Sequence, residues 1–115
     1  MASRTFKSGA TRDTNEDKLD YEAFLSPPVL HCYAQYLHKN RFQSGGILRE
    51  GDNWQKGIPL DVYMKSAWRH FMDWWIFHRH GKGYDPIGTQ EALCAVLFNT
   101  MGYLHEVLKE NEKST

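Results

Sequence analysis

The chain has 115 residues with 14 basic and 14 acidic side chains, so its formal net charge is zero. Nucleic-acid-binding proteins usually carry a basic excess, so this balance argues against a general nucleic-acid binder, and no stable nucleic-acid complex is expected. Hydrophobic residues make up 41% of the sequence, enough for one domain with a core. No apolar run reaches the roughly 18 residues that a membrane span requires, so none is predicted.

The two cysteines, Cys32 and Cys94, show neither a CxxC motif nor a repeated spacing. A disulfide framework is therefore not predicted, and a reducing compartment fits better. The first residues lack the apolar segment of a secretion signal. These features together predict a cytoplasmic protein.

Residues 1–25 are predicted to form a polar N-terminal arm that ends in a short helical turn. Two interpretations of the arm stay open: a solvated leader, or a segment that folds over a site and contributes charged groups. Residues 26–110 predict a single helical domain, and residues 111–115 a frayed tail. The fold class expected is all-α, with three main helices.

The first main helix is predicted over about residues 27–41, with Ser26 as its N-cap and Pro27 in its first turn. The second is predicted over about residues 60–78, after Pro59. Its apolar positions recur every three or four residues, which indicates one face that packs in the core. These positions are Leu60, Tyr63, Met64, Ala67, Trp68, Phe71, Trp74 and Trp75.

The third helix is predicted from about Thr89 to about Lys109 and is apolar nearly all round. A helix of this kind must be buried on two sides, which three helices of one chain hardly provide. A second copy is therefore expected to pack against it, giving a homo-oligomer of two or more chains. Asn99 lies on this helix and needs partners, either a ligand or a neighbouring backbone group.

A turn rich in glycine precedes the second helix and is the most informative stretch for function. It brings Asp52, Asn53, Trp54 and Lys56 next to a helix that carries the polar residues Arg69, His70 and Asp73. One interpretation is an ordinary loop with Trp54 covering the core, and an Arg69–Asp73 pair one helical turn apart. The other is that Arg69 faces an anionic ligand, since its planar fork suits phosphate. The glycine-rich stretch 78–88, with Arg79, Lys82 and Asp85, is a weaker phosphate pattern because it lacks the full P-loop.

Several motifs of this chain, taken in their order along the sequence, resemble those of a known family. They are Arg12-Asp13 with Lys18, Pro27-Pro28, Asp52-Asn-Trp-Gln-Lys-Gly-Ile-Pro59, Ser66-Ala-Trp-Arg-His70 and Leu97-Phe-Asn99. In these the chain resembles small phage proteins described as dATP/dGTP diphosphohydrolases of the N-terminal-domain type, which are related to the all-α MazG-like nucleotide pyrophosphohydrolases. The resemblance implies a helical bundle completed by oligomerisation. It also implies hydrolysis of purine deoxynucleoside triphosphates to the monophosphate and pyrophosphate, in the cytoplasm of a phage-infected cell.

The resemblance also implies roles for particular residues, because this hydrolysis needs a positioned water and neutralised phosphate charge. Magnesium held by carboxylates supplies both. The predicted metal ligands are Asp52, Asp73 and Glu91, with Glu50 and Asp17 as further candidates. The predicted catalytic residues are His70, Asp73 and Glu91. The predicted substrate-binding residues are Arg12, Lys56 and Arg69 for phosphates, Asn53 and Trp54 for a purine, and Asn99.

A second interpretation is a non-catalytic nucleotide-binding or protein-interaction module. MazG-like enzymes carry a pair of glutamates on one helix, whereas the first main helix here has no acidic residue between positions 29 and 40. This difference favours the module, and the two interpretations stay open at the level of the sequence.

Overall fold

A computed structural model describes residues 2–14, 16–80 and 86–113 of the chain. Helices account for most of these residues, which confirms the prediction of a mainly helical protein. The chain divides into two compact units, Met1–Leu30 and His31–Thr115. Within the ranges described, none of the helices is both long and apolar enough to cross a membrane.

The first unit contains a small antiparallel hairpin, in which strand β1 (Ser3–Thr5) pairs with strand β2 (Thr11–Asp13). The turn between the strands uses Gly9 at a φ of 91°, a conformation that favours glycine. A four-residue helix, α1 (Tyr21–Phe24), follows, and the Asp20 side chain caps it by accepting a hydrogen bond from the Ala23 amide. Part of the predicted polar arm is therefore regular structure.

Helix α2 (Pro27–Lys39) begins where the sequence predicts, with the Ser26 hydroxyl accepting a hydrogen bond from the Val29 amide at 3.4 Å. It ends two residues earlier than expected. The reason is local, because side chains just beyond the helix occupy its last carbonyl groups. Asn40 Nδ2 donates to the Tyr36 carbonyl at 2.8 Å, and Arg41 Nε donates to the His38 carbonyl at 3.2 Å.

Helices α3 (Leu60–His80) and α4 (Pro86–Lys113) pack against each other in the second unit. Tyr63 of α3 is 2% exposed, and small residues of α4 make room for it. A Cβ atom added to Gly102 would lie 2.3 Å from the Tyr63 ring, so only glycine allows this contact. Ala92, Cys94 and Ala95 of α4 are also buried, and Ala92 and Ala95 lie on the side of the helix that carries Gly102. The close approach of α3 to α4 thus depends on a row of small side chains.

Both long helices extend beyond their predicted ends. Helix α4 starts at Pro86, three residues before Thr89, because proline is well suited to the first turn of a helix. Residues 111–113, expected in a frayed tail, still belong to α4. Of the predicted loop 78–88, residues 78–80 lie in α3 and 86–88 in α4, while Lys82 and Asp85 lie outside the described residues.

The apolar stripe of α3 is exposed to a large extent, contrary to the prediction that it forms the core. Tyr63 alone among its members is buried, whereas Trp68 is 62% exposed and Trp75 is 50% exposed. Helical periodicity reveals which residues share a face but not whether another element of the chain covers that face. Helix α4 likewise buries one side and leaves Leu97, Leu104 and Leu108 exposed.

Candidate functional site

A tight hairpin-like loop between α2 and α3 brings two arginines together. Gly45 and Gly46 form its turn with φ angles of 88° and 81°, which other residues rarely adopt. The Arg49 amide donates a hydrogen bond to the Arg41 carbonyl at 2.8 Å, and the adjacent residues Phe42 and Leu48 form an isolated antiparallel β-bridge. The two guanidinium-bearing residues therefore flank the base of the same loop.

A short 3₁₀ helix, Asn53–Lys56, follows this loop and packs against α4. The Trp54 ring makes edge-to-face contacts with Phe98 at 6.1 Å and with His105 at 4.8 Å between ring centroids. Gly57 ends the turn at a φ of 124°. These contacts hold Trp54 half-buried against α4, whereas the prediction placed this turn next to the helix that carries Arg69 and His70.

The loop, the 3₁₀ helix and helices α2, α3 and α4 enclose a hollow of about 360 Å³, which we call the polar pocket. All its lining residues belong to the second unit. They are Tyr36, Leu37, Asn40, Arg41, Phe42, Arg49, Glu50, Gly51, Asn53, Trp54, Ser66, His70, Phe98 and Asn99.

The charges in the polar pocket are not balanced by ion pairs. Arg41 is held by His38, with 3.2 Å between its Nη2 atom and the histidine Nδ1 atom. The Arg49 guanidinium has no hydrogen-bond or ion-pair partner among the described residues. Glu50 is the single acidic residue of the lining, and it forms no ion pair with either arginine in the part of the chain described. Neighbouring like charges repel, so an anion in the pocket would be stabilised.

Uncharged polar groups complete the pocket. Asn99 is 5% exposed and donates through Nδ2 to the Ala95 carbonyl of its own helix at 2.8 Å. Its side-chain oxygen accepts no hydrogen bond from any described residue, so this acceptor is available to a ligand. Burial raises the pKa of Tyr36, and the negative charge of Glu91 adds to this effect. The Tyr36 phenol therefore stays protonated and can donate a hydrogen bond at neutral pH.

Four of the predicted site residues line the polar pocket, Asn53, Trp54, His70 and Asn99, and so does the further candidate Glu50. His70 lies one helical turn from Ser66 on α3. Its Nδ1 atom is 3.9 Å from the Asp73 carboxylate. Asp73 thus has His70 as its neighbour, in place of the Arg69 partner that the sequence offers.

The other predicted phosphate contacts lie elsewhere. Lys56 ends the 3₁₀ helix and Arg69 is exposed on α3, and neither belongs to the lining of the polar pocket. Arg12 lies in β2 of the first unit, where it pairs with Arg4 across the hairpin.

The three predicted metal ligands do not converge. Asp52 precedes the 3₁₀ helix, Asp73 is on α3, and Glu91 on α4 forms an ion pair with Lys39. Nowhere in the described ranges do three or more histidine, cysteine, aspartate or glutamate side chains gather closely enough to hold a metal ion. The structure therefore does not bring these three residues together, and magnesium binding stays a prediction.

Arg41 and Arg49 are not among the predicted site residues, although the sequence contains a signal for them. Both flank the only adjacent pair of glycines in the chain, Gly45-Gly46, and a glycine turn of this kind brings its flanks together. Two arginines at the flanks of such a turn indicate paired cations.

Comparison of the chain with protein-family models, with characterised proteins and with solved structures gives no match.

Proposed function

We propose that the polar pocket binds a nucleotide, and that a purine deoxynucleotide is its natural ligand. The observation that carries this proposal is the joint presence of two arginines, three asparagines and four aromatic side chains around one hollow of about 360 Å³. Pockets for small ligands and cofactors span about 300–1,000 Å³ and place a few polar groups among apolar walls. A nucleotide needs both kinds of wall, since it joins an anionic phosphate to a flat aromatic base.

The two arginines of the polar pocket are suited to bind the phosphate groups of a nucleotide. Within the described part of the chain the Arg49 guanidinium has no partner, and Arg41, at the other flank of the same loop, adds a second cation to the lining. A planar guanidinium binds phosphate oxygens through two parallel hydrogen bonds, which lysine cannot provide. A bound phosphate would also neutralise part of the positive charge that the two arginines bring to the lining.

The aromatic and amide groups account for the base. Trp54 and Phe98 offer ring surface to a purine, and ring contacts of this kind favour flat heterocycles. The free side-chain oxygen of Asn99 accepts hydrogen bonds and can pair with an exocyclic amino group. The resemblance to dATP/dGTP diphosphohydrolases supports the same class of ligand.

Isothermal titration calorimetry with dGTP, dATP, dCTP and inorganic phosphate tests this proposal. The purine nucleotides should bind more tightly than dCTP and phosphate. Arg49→Ala should weaken dGTP binding at least about tenfold, because a hydrogen bond to a charged group contributes about 1.5–3 kcal/mol. Arg69→Ala is the matched control, since it removes the same charge outside the pocket and should leave binding unchanged. Absence of binding, or a loss with Arg69→Ala alone, would refute the assignment.

A second candidate function is hydrolysis of the bound nucleotide between its α and β phosphorus atoms, with water as the co-substrate and the monophosphate and pyrophosphate as products. The specific observation in favour is His70, which lines the pocket and has Asp73 beside it. A histidine in this setting can accept the proton of an attacking water. Magnesium is commonly held by one or two carboxylates together with substrate phosphates, so Glu50 is the pocket residue suited to a nucleotide-borne ion.

Pyrophosphate release from each deoxynucleoside triphosphate, with and without magnesium, separates the two functions. An enzyme should release pyrophosphate, and His70→Gln should slow the release about 100-fold or more while nucleotide binding persists. A binding module should show dGTP binding in calorimetry and no release under either condition.

We also infer that the chain acts as a homo-oligomer. The exposed apolar residues on both long helices support this inference, because isolated soluble proteins seldom leave so much apolar surface uncovered.

A further inference from the structure

One face of α3 presents an unbroken row of apolar side chains to solvent. We call it the aromatic face and define it by Leu60, Met64, Trp68, Phe71 and Trp75. Their spacing follows the helical repeat over four turns, so the row runs along the length of the helix. Their exposed fractions are between 40% and 62%, with Trp68 at the centre the most exposed.

A hollow of about 320 Å³ opens at the middle of this face. It lies beside Ala67, whose small side chain leaves the space, and Val96 of α4 forms one wall. Every residue of the lining is apolar, the others being Met64, Trp68 and Phe71. The Trp68 and Phe71 rings meet edge to face at 6.0 Å, so the outer wall is an ordered aromatic pair.

We infer that a second copy of this chain covers the aromatic face, in a two-fold symmetric dimer whose α3 helices run antiparallel. This inference rests on the homo-oligomer of the proposed function and names its interface. Trp68 and Ala67 lie midway between Leu60 and Trp75, so an antiparallel pairing puts them at the two-fold axis. Each Trp68 then enters the hollow beside Ala67 of the other copy, and the two ends of the row cover each other. Such self-complementarity is what a two-fold interface requires.

The size of the face agrees with this occupant. A large aromatic side chain has a surface area of about 150–250 Å². The exposed fractions of the five side chains of the aromatic face therefore add up to roughly 500–600 Å² of apolar surface. A stable dimer buries about 800 Å² per partner, of which about 65% is apolar in homodimers, or roughly 500 Å². The aromatic face alone therefore supplies the apolar part of a standard interface.

Charge also favours a second copy over a charged partner. The aromatic face contains no ionisable residue, and the nearby Lys65 and Asp61 form an ion pair with each other at 3.6 Å. Because the chain has zero formal net charge, two copies approach without long-range repulsion. Antiparallel α3 helices would in addition align their dipoles favourably.

Sedimentation analysis of the full chain at micromolar concentration tests the dimer. The wild-type protein should have twice the chain mass of 13.4 kDa. Trp68→Glu should raise the dissociation constant of the dimer about 30-fold or more, as expected for a central interface residue. Leu108→Glu is the matched control, because it places the same charge on an exposed leucine of α4. The sequence predicts that the second copy packs against α4, but the dimer inferred here uses α3. This variant should therefore leave the mass unchanged.

A further variant guards against misfolding. Ala67→Trp fills the hollow, keeps the face apolar, and should also produce monomers with an unchanged helical circular dichroism spectrum. A monomeric wild-type protein would overturn the inference, as would a dimer that Leu108→Glu dissociates and Trp68→Glu does not. Calorimetry with dGTP on the same samples separates this failure from failure of the nucleotide proposal, because Trp68 does not line the polar pocket.

Discussion

At the scale of single residues, the contact between Tyr63 and Gly102 determines how closely α3 approaches α4. Tyr63 is almost fully buried, and any Cβ atom at position 102 would overlap its ring at 2.3 Å. The Tyr63 hydroxyl, in contrast, has no hydrogen-bond partner among the described residues. The ring therefore stabilises the pair of helices, while the hydroxyl contributes little.

The first prediction is that Gly102→Ala destabilises the protein by about 1–3 kcal/mol, because the added methyl group forces the tyrosine or the backbone to move. Tyr63→Phe is the control. It keeps the ring and removes a buried hydroxyl without a partner, so the free energy of unfolding should stay the same or rise. Urea unfolding measures both, and an equal loss of stability in the two variants would contradict the packing argument.

The second prediction concerns Cys94, which is buried in α4. Burial raises the pKa of the Cys94 thiol to about 11, and the neighbouring Cys32 thiol adds to the shift. Since the thiolate is the reactive form, iodoacetamide should modify Cys94 slowly at pH 8 and faster as the pH approaches 11. A Cys32→Ser variant isolates the reaction, and mass spectrometry follows it. Rapid modification at pH 8 in the folded state would show that the thiol is accessible and ionised.

At the scale of elements, Glu106 of α4 links that helix to the start of α3. Its carboxylate accepts hydrogen bonds from the Ile58 amide at 3.4 Å and from Lys109 at 3.3 Å. Partial desolvation opposes the charged form, but the Lys109 and Ile58 hydrogen bonds prevail and lower the pKa of Glu106 below its usual 4.5. A carboxylate with a lowered pKa stabilises the fold above its unfolded-state pKa, and this contribution disappears as the pH falls through the folded-state pKa.

The third prediction follows from the lowered pKa of Glu106. Glu106→Gln should lower the free energy of unfolding at pH 7, and the difference from wild type should shrink as the pH drops below about 4.5. Glu110→Gln, one turn further along α4, is the exposed control and should have a small effect at both pH values. If the difference in the free energy of unfolding between Glu106→Gln and wild type grew as the pH fell, the stabilising role of the Glu106 carboxylate would be contradicted.

The helices themselves could be predicted from the sequence because their signals are local. Ser26 and Pro59 mark helix starts, and apolar residues recur at helical spacing. The Gly45-Gly46 pair indicates a turn between Arg41 and Arg49, but the sequence alone does not determine that Phe42 and Leu48 pair across it. The α3 stripe was identified correctly as one face, but its burial depends on tertiary neighbours that periodicity does not encode.

At the scale of the whole molecule, the polar pocket combines residues that the sequence could and could not identify. Asn53 and Trp54 were predictable because one turn presents them, and Asn99 because an amide on an apolar helix needs a partner. Arg41 and Arg49 required the geometry of the folded loop. The predicted carboxylates Asp73 and Glu91 do not line the pocket, because sequence spacing does not determine which helix faces meet.

The central claim, that the polar pocket is a nucleotide site, is tested most directly by a two-dimensional NMR titration of the ¹⁵N-labelled protein with dGTP. We expect the largest shifts at the Trp54 indole N–H, the Asn99 side-chain amide and the Gly51 backbone amide, which all belong to the pocket. Signals from the Trp68 indole N–H and from α4 beyond residue 108 should stay in place. Absence of shifts at millimolar dGTP, or shifts confined to residues outside the polar pocket, would contradict the account.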